Sequence, residues 1–463
     1  MQRWHLTLGL SAAVLAAAAL FPSLPRQTVD STLSTVIAPP PPAFAGEDGE
    51  LTVEMGLDQG AILVGEGGDR YVVIDVRAPR PMGASRRPVQ VSVVLDLSGS
   101  MSEQGKIEGA TRGLEELRNQ LRDDDKLGFV VFNDRAELRA PLTPVAHWGR
   151  DLVGFMPLRP SGGTNLYAGL AMGIGLLPEG GSAEVQRVVL LSDGQANIGE
   201  TEPRAFRALA ASRVTDGVSV STIGLGLDFN EDLLATLSDA GGGGYQFVDA
   251  PGELGRFFSS ELERLGAVAG RQTRVELTMG PGVELLDVYG YEAERSGQGA
   301  SIYLGDVHGG ESRKIVARVR VPAGEAGARP LATATVRYLD PDDGRRCAEQ
   351  ANAALVGVAS RREVETSVHS DLAEKALRAR SADLLEASSQ AWKRGDLTTN
   401  QALMKEAEDL LERGAVTYQA PRLSGAARDY ATEARNFEAA PASSAAGQLQ
   451  AKRAKRISRD EAR

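Results

Sequence analysis

The strongest constraint on this chain is a turn. An apolar strand, Val89 to Leu95, runs straight into Asp96-Leu97-Ser98-Gly99-Ser100, which puts a carboxylate and two hydroxyls on one tight reversal. A second apolar run, Arg187 to Leu191, also ends shortly before an acid, Asp193-Gly194, and between the two lies Ser161-Gly162-Gly163-Thr164-Asn165. Two strands that each deliver an Asp, with a Gly-Gly-Thr loop between them, fit an α/β sheet, whose ligands bind beyond the carboxyl ends of its strands. In isolation Asp-x-Ser-x-Ser is a common turn, since Asp and Ser side chains bond nearby amides. The ordered set of three segments is what points to a site. Asp96, Ser98, Ser100, Thr164 and Asp193 offer only hard oxygen donors, which suit Mg²⁺, Mn²⁺ or Ca²⁺, and the lack of imidazole or thiolate nearby disfavours zinc.

The stretch from Val89 to Gly266 alternates apolar runs with helical periodicity, as in a doubly wound, mostly parallel sheet. Helices are expected over Lys106 to Leu121, Asn165 to Leu177, Pro203 to Thr215, Asn230 to Leu237 and Gly252 to Leu265. On either side the texture is different. Leu51 to Leu57, Ala61 to Val64 and Tyr71 to Val76 come before it; Arg274 to Thr278, Val283 to Tyr289, Ala300 to Leu304, Ser312 to Val321 and Ala332 to Tyr338 come after, set apart by Gly, Pro and Asp turns. The economical arrangement is one β-sandwich made from 51–88 and 267–360, with the α/β domain of 89–266 inserted between its strands. From Arg361 helical spacing resumes through Leu372, Ala376, Ala379, Leu384, Ala387 and Ala391, and Gly395-Asp396 supplies a stop followed by a start. This predicts a helical hairpin within 361–422. The Ala-, Ser- and charge-rich remainder, 423–463, reads as a flexible tail, with Lys452 to Arg456 as a solvated basic end.

The five oxygen-bearing residues resemble the metal-ion-dependent adhesion site of the von Willebrand factor A domain: Asp-x-Ser-x-Ser, then a Thr, then an Asp. The resemblance runs on through Asp125 to Phe132, Thr222 to Gly226, Phe229 to Leu234 and the glycine run Gly241 to Gly244, read as strand, helix and loop. The nested arrangement is similar to that of exported bacterial proteins related to calcium-activated chloride channel regulators. It implies a bound divalent cation, Mg²⁺ or else Mn²⁺ or Ca²⁺, whose open position is completed by an Asp or Glu of a protein partner. It also implies that the last helix of the domain, Gly252 to Leu265, shifts between low- and high-affinity states.

Other classes are disfavoured by what the chain contains. Its net charge of −11, from 51 basic and 62 acidic residues, is opposite to that of a nucleic-acid binder. A phosphatase of the haloacid-dehalogenase type needs a second Asp where Ser98 stands, and a hydroxyl cannot shuttle that proton near neutrality. Gly224-Leu225-Gly226 begins a dinucleotide fingerprint that Phe229 breaks, and the four histidines, His5, His147, His308 and His369, accompany no Gly-x-Ser-x-Gly elbow. The expectation is therefore a non-enzymatic binding protein. The alternatives are an envelope assembly protein whose metal only stabilises the fold and, further off, a metal-dependent phosphohydrolase. Residues 1–26, with Arg3 and His5 ahead of the apolar stretch Leu6 to Phe21, read as a signal peptide or a signal anchor in the inner membrane, and 27–50, centred on Pro39 to Pro42, as a semi-rigid spacer. Export to the periplasm or cell surface follows. Cys347, the single cysteine, precludes an intrachain disulfide.

Overall fold

A computed structural model describes residues 51–79, 87–148, 157–179, 184–248, 251–265 and 267–463. The proposed export segment and the Pro-rich spacer lie outside the described residues. Among the described residues no helix is long and apolar enough to cross a membrane.

The α/β domain opens with β4 (Val89–Asp96), so numbered because β1 (Thr52–Leu57), β2 (Ala61–Leu63) and β3 (Gly68–Arg77) precede it. It continues through α1 (Lys106–Gln120), β5 (Lys126–Phe132), β6 (Ala136–Pro144), α2 (Leu166–Gly175), β7 (Val185–Ser192), α3 (Pro203–Ala211), β8 (Val218–Leu225), α4 (Glu231–Ala240), β9 (Gly242–Val248) and α5 (Leu254–Leu265). The six strands lie in the order β6-β5-β4-β7-β8-β9, all parallel except β6, which runs antiparallel to β5 at one edge. Every residue of β4, β7 and β8 is buried, as expected of central strands covered on both faces. Ala110, Leu114 and Leu117 of α1 with Leu254, Phe258 and Leu262 of α5 cover one face; α2, α3 and α4 cover the other through Leu170, Phe206 and Leu234. The expected helices are present with ends displaced by a few residues. The run Gly241 to Gly244, expected as a loop, instead leads into edge strand β9, where absent side chains let it lie against Val220.

Strands from before and after this domain pair with one another. After α5 come β10 (Val268–Met279), β11 (Glu284–Tyr289), β12 (Ala293–Ser296), β13 (Gly299–His308), β14 (Ser312–Val321), β15 (Gly327–Leu339) and β16 (Arg346–Val358). One sheet has the order β1-β3-β14-β11, the other β12-β13-β10-β15-β16-β2. β3 and β14 are in register over ten residues, from Arg77 opposite Ser312 to Gly68 opposite Val321. Both sheets feed one apolar core: Val72, Ile74, Ile315 and Val319 from the first, Val275, Leu277, Ile302, Val336 and Leu355 from the second. β16 carries Cys347 on its buried face, and its alternating small residues gave too weak an apolar signal to be read as a strand.

The helical region departs most from expectation. α6 (Arg361–Thr366), α7 (Ser370–Lys393) and α8 (Leu397–Thr417) follow the anticipated pattern, with Gly395 at φ +78° and Asp396 capping α8 by accepting from the Thr399 amide. The segment expected to be a flexible tail forms two more helices, α9 (Arg422–Ala439) and α10 (Ala445–Ala462). Leu423, Ala426, Ala427, Tyr430, Phe437, Ala451 and Ala454 bury against Trp392, Met404 and Leu411 and against Tyr71, Val73 and Val316 on the outer face of the four-stranded sheet. Alanine supplies a helix with a close-packing face while adding little hydropathy, which is why the segment reads as a flexible tail from sequence. The basic run is not a solvated end either. Lys452 is 2% exposed and bonds Glu231 and the Phe229 carbonyl, and Lys455 pairs with Asp232 and Glu386.

Candidate functional site

The carboxyl end of β4 carries Asp96 into the interior, at 0% exposure. Its Oδ1 accepts the Ser98 amide at 2.8 Å, which closes the turn, and its Oδ2 accepts the Ser192 hydroxyl at 2.6 Å. The turn is then fastened to the Gly-Gly-Thr loop through backbone bonds: Ser161 donates to Leu97 O and Gly99 to Gly162 O. The loop has its own supports, for Asp134 accepts the Gly163 amide, Asn197 Oδ1 accepts the Thr164 amide and Asn165 caps α2. Each of the three segments is thus fixed by bonds to its neighbours.

These supports bring the five expected residues together. Ser98 Oγ and Ser100 Oγ are 3.1 Å apart, and Ser100 Oγ donates to Asp193 Oδ1 at 2.8 Å. Gly194 marks the centre of the set. A Cβ at that position would stand 3.2 Å from Thr164 Oγ1, 3.8 Å from Ser100 Oγ and 3.9 Å from Asp96 Oδ2, so three oxygens from the other two segments face a space that any side chain at 194 would enter.

Electrostatically the site is under-compensated. Burial pushes the Asp96 carboxyl up to about 6; the Ser192 and Ser98 hydrogen bonds counter this and the neighbouring Asp193 adds to it. A cation beside Asp96 would relieve that strain, and the donors are all of the hard type a divalent ion requires. Among the described residues no group of three or more His, Cys, Asp or Glu is placed to hold a metal, so an ion here depends on hydroxyls beside two carboxylates.

Two side chains that reading the sequence did not single out complete the arrangement. Ser192 orients Asp96, and Lys106, 2% exposed at the first position of α1, donates to Asp193 Oδ2 at 2.7 Å. Ser192 stands next to Asp193 in sequence and could have been suspected; a lysine ten residues past Asp96 could not, because only the fold turns it back under the site.

Residues 91–195 match the sequence model of the von Willebrand factor type A domain. The α/β domain has the von Willebrand factor A-type fold. The chain is 24% identical over 307 residues to an uncharacterized Synechocystis protein, sll0103 (64% of this chain, 71% of that one), and 24% over 190 residues to the uncharacterized Escherichia coli protein YfbK (41% and 33%). It is also 26% identical over 194 residues to the mouse inter-alpha-trypsin inhibitor heavy chain H2 (37% and 20%). It therefore spans only a third of the E. coli relative and a fifth of the mouse one. Among solved structures, a von Willebrand factor type A protein from Catenulispora acidiphila superposes with a TM-score of 0.68 at 18% identity, covering 90% of this chain and 98% of that one. The ArnB paralog VWA2 from Sulfolobus acidocaldarius gives 0.60 at 15%, covering 89% and 99%. At these identities the likeness is one of fold.

Proposed function

We propose that this protein is a non-enzymatic, divalent-metal-dependent protein-binding module, exported to the periplasm or cell surface, with residues 6–21 directing export or anchoring. The observation that carries this reading is the convergence of Thr164 Oγ1, Ser100 Oγ and Asp96 Oδ2 on the space above Gly194. Ser98, Ser100 and Thr164 would hold Mg²⁺, Mn²⁺ or Ca²⁺ through hydroxyl oxygens, with Asp96 and Asp193 supplying negative charge and orienting the hydroxyls. A bound ion would supply an electropositive position at which the carboxylate of a partner's Asp or Glu is welcome. The chain's own residues do the rest: Ser192 and the Ser98 amide fix Asp96, Asn197 fixes Thr164, and the Asp134 bond to Gly163 sets the loop's height.

A second reading is favoured by the fact that these residues already satisfy one another. In an envelope assembly protein the ion would only stiffen the top of the sheet, and the two-sheet module and helices would make the contacts. Calorimetric titration with Mg²⁺, Mn²⁺ and Ca²⁺, beside Asp96→Ala, separates the readings when each form is also used to capture partners from an envelope extract with and without chelator. Chelator-sensitive capture lost in a folded Asp96→Ala protein supports the adhesion reading. Capture that survives both supports the assembly reading, and absence of metal binding removes the metal from either.

A further inference from the structure

A buried ion pair lies within the candidate site. Lys106 and Asp193 form an ion pair of 2.7 Å with side-chain exposures of 3% and 0%. A fully desolvated pair is costly to assemble, so its position matters more than its contribution to stability. It leaves neither Asp193 oxygen free: Oδ1 accepts from Ser100 and Oδ2 from Lys106. The fold makes room for it. Gly226, in the turn after β8, has φ +74°, and a Cβ there would stand 3.2 Å from Lys106 Cε and 3.6 Å from Nζ, so a larger residue would crowd the ammonium and be strained in its own backbone. Helix α1 starts at Lys106 itself, after Gly105 in the left-handed region, which fixes where the side chain departs.

We propose that Lys106 is a resident counter-cation of this site, which holds Asp193 as an orienting group and lowers the site's affinity for a divalent ion, making firm occupancy depend on an anionic group from outside. The inference rests on the metal-binding reading above. With Asp96 and Asp193 as the acids and Lys106 as the base, the set carries a net charge of −1, so a divalent ion leaves an excess of +1. A partner carboxylate cancels that excess, and a neutral ligand does not. Ion and partner therefore bind with positive coupling, each raising the affinity for the other by the same factor. The class of partner that follows is a protein surface presenting an acidic side chain, with acetate as its smallest mimic.

The test is calorimetric titration of the full chain with Mn²⁺ alone and with Mn²⁺ in excess acetate, on the wild type, Lys106→Gln and Lys106→Arg. Gln keeps a hydrogen-bond donor for Asp193 without the charge; Arg keeps the charge. The expected result is that Lys106→Gln binds Mn²⁺ about tenfold more tightly than wild type, that Lys106→Arg stays near wild type, and that acetate strengthens Mn²⁺ binding in wild type more than in Lys106→Gln. Equal or weaker binding by a folded Lys106→Gln protein would overturn the proposal and leave Lys106 a purely structural residue. So would acetate acting equally on both. If Gln does not fold, Lys106→Met, which also removes the charge, is titrated in its place, and equal or weaker Mn²⁺ binding by that folded protein likewise defeats the proposal. No Mn²⁺ heat in any form defeats the metal reading itself, an outcome distinct from the others.

Discussion

Two regions of the molecule treat partly or fully buried carboxylates in opposite ways. On the flank of the α/β domain, α4 presents Glu231, Asp232 and Asp239 to the helical region, where each finds at least two cations: Lys393 and Lys452 for Glu231, Lys393 and Lys455 for Asp232, Arg459 and Arg463 for Asp239. Burial alone would raise all three, yet the cations prevail and hold each below the usual carboxylate range, Asp232 at about 2. At the end of β4, Asp96 has hydrogen bonds and no cation, and burial prevails. The first region uses its charge to fasten the molecule together. The second pairs Asp193 with Lys106 and leaves Asp96 held by hydrogen bonds alone.

That contrast can be broken by substitution. The largest effect is expected from Lys452→Ala, since Lys452 is buried, stands 3.6 Å from the Phe229 ring centre and bonds both Glu231 and the Phe229 carbonyl. It should destabilise the helical region by about 3 kcal/mol, seen as a lowered midpoint in urea melts followed by circular dichroism; an unchanged midpoint would mean that α10 is not fastened through α4. A paired comparison follows. Asp239→Asn strips the partner from Arg459 and Arg463 and should cost about 2 kcal/mol, whereas Asp96→Asn, which keeps an acceptor for the Ser98 amide, should leave the metal-free protein as stable or more so while abolishing the heat of Mn²⁺ binding. Effects of the same sign in both melts would erase the distinction drawn here.

Acid should act on the clasp more gently. Because the folded-state value of Asp232 is depressed, its contribution is present above the unfolded value near 4 and is lost as pH falls through about 2. Thermal midpoints should therefore decline between these limits, and less steeply in Asp232→Asn; parallel declines would show that Asp232 is not responsible. The smallest effect expected is from Ser444→Ala, which removes the hydroxyl that accepts the Gly447 amide at the start of α10. About 1 kcal/mol is expected, detectable as faster proteolysis after residue 440.

The candidate site was legible because strand ends and loop residues are local signals: Asp96, Ser98 and Ser100 sit within one turn, and Asp193 ends its own apolar run. Thr164 was recognisable through its position after two glycines. Lys106 was not, since its role arises from a contact between residues 87 positions apart. The same limit explains α9 and α10. Their apolar faces are alanine-rich, and the lysines and arginine of α10 look solvated until the acids of α4, more than two hundred residues earlier, are placed against them. β3 and β14 were readable as strands individually because Tyr71 to Val76 and Ser312 to Val321 are dense in valine and isoleucine.

The pairing of β3 with β14 has a consequence in time. During synthesis β1 and β3 leave the ribosome early and can form a hairpin, but the β3 edge that will receive β14 stays open until the whole α/β domain has been made. At about 5–20 residues per second that is a wait of roughly 10–50 s. Throughout it an apolar strand edge is bare, a template for pairing with other chains. The inserted domain, with mostly parallel strands joined by short crossovers, can close on its own in that interval and bring the two halves of its host within reach of each other. The order of the chain thus makes the α/β domain the first unit to mature and the module that carries it the last.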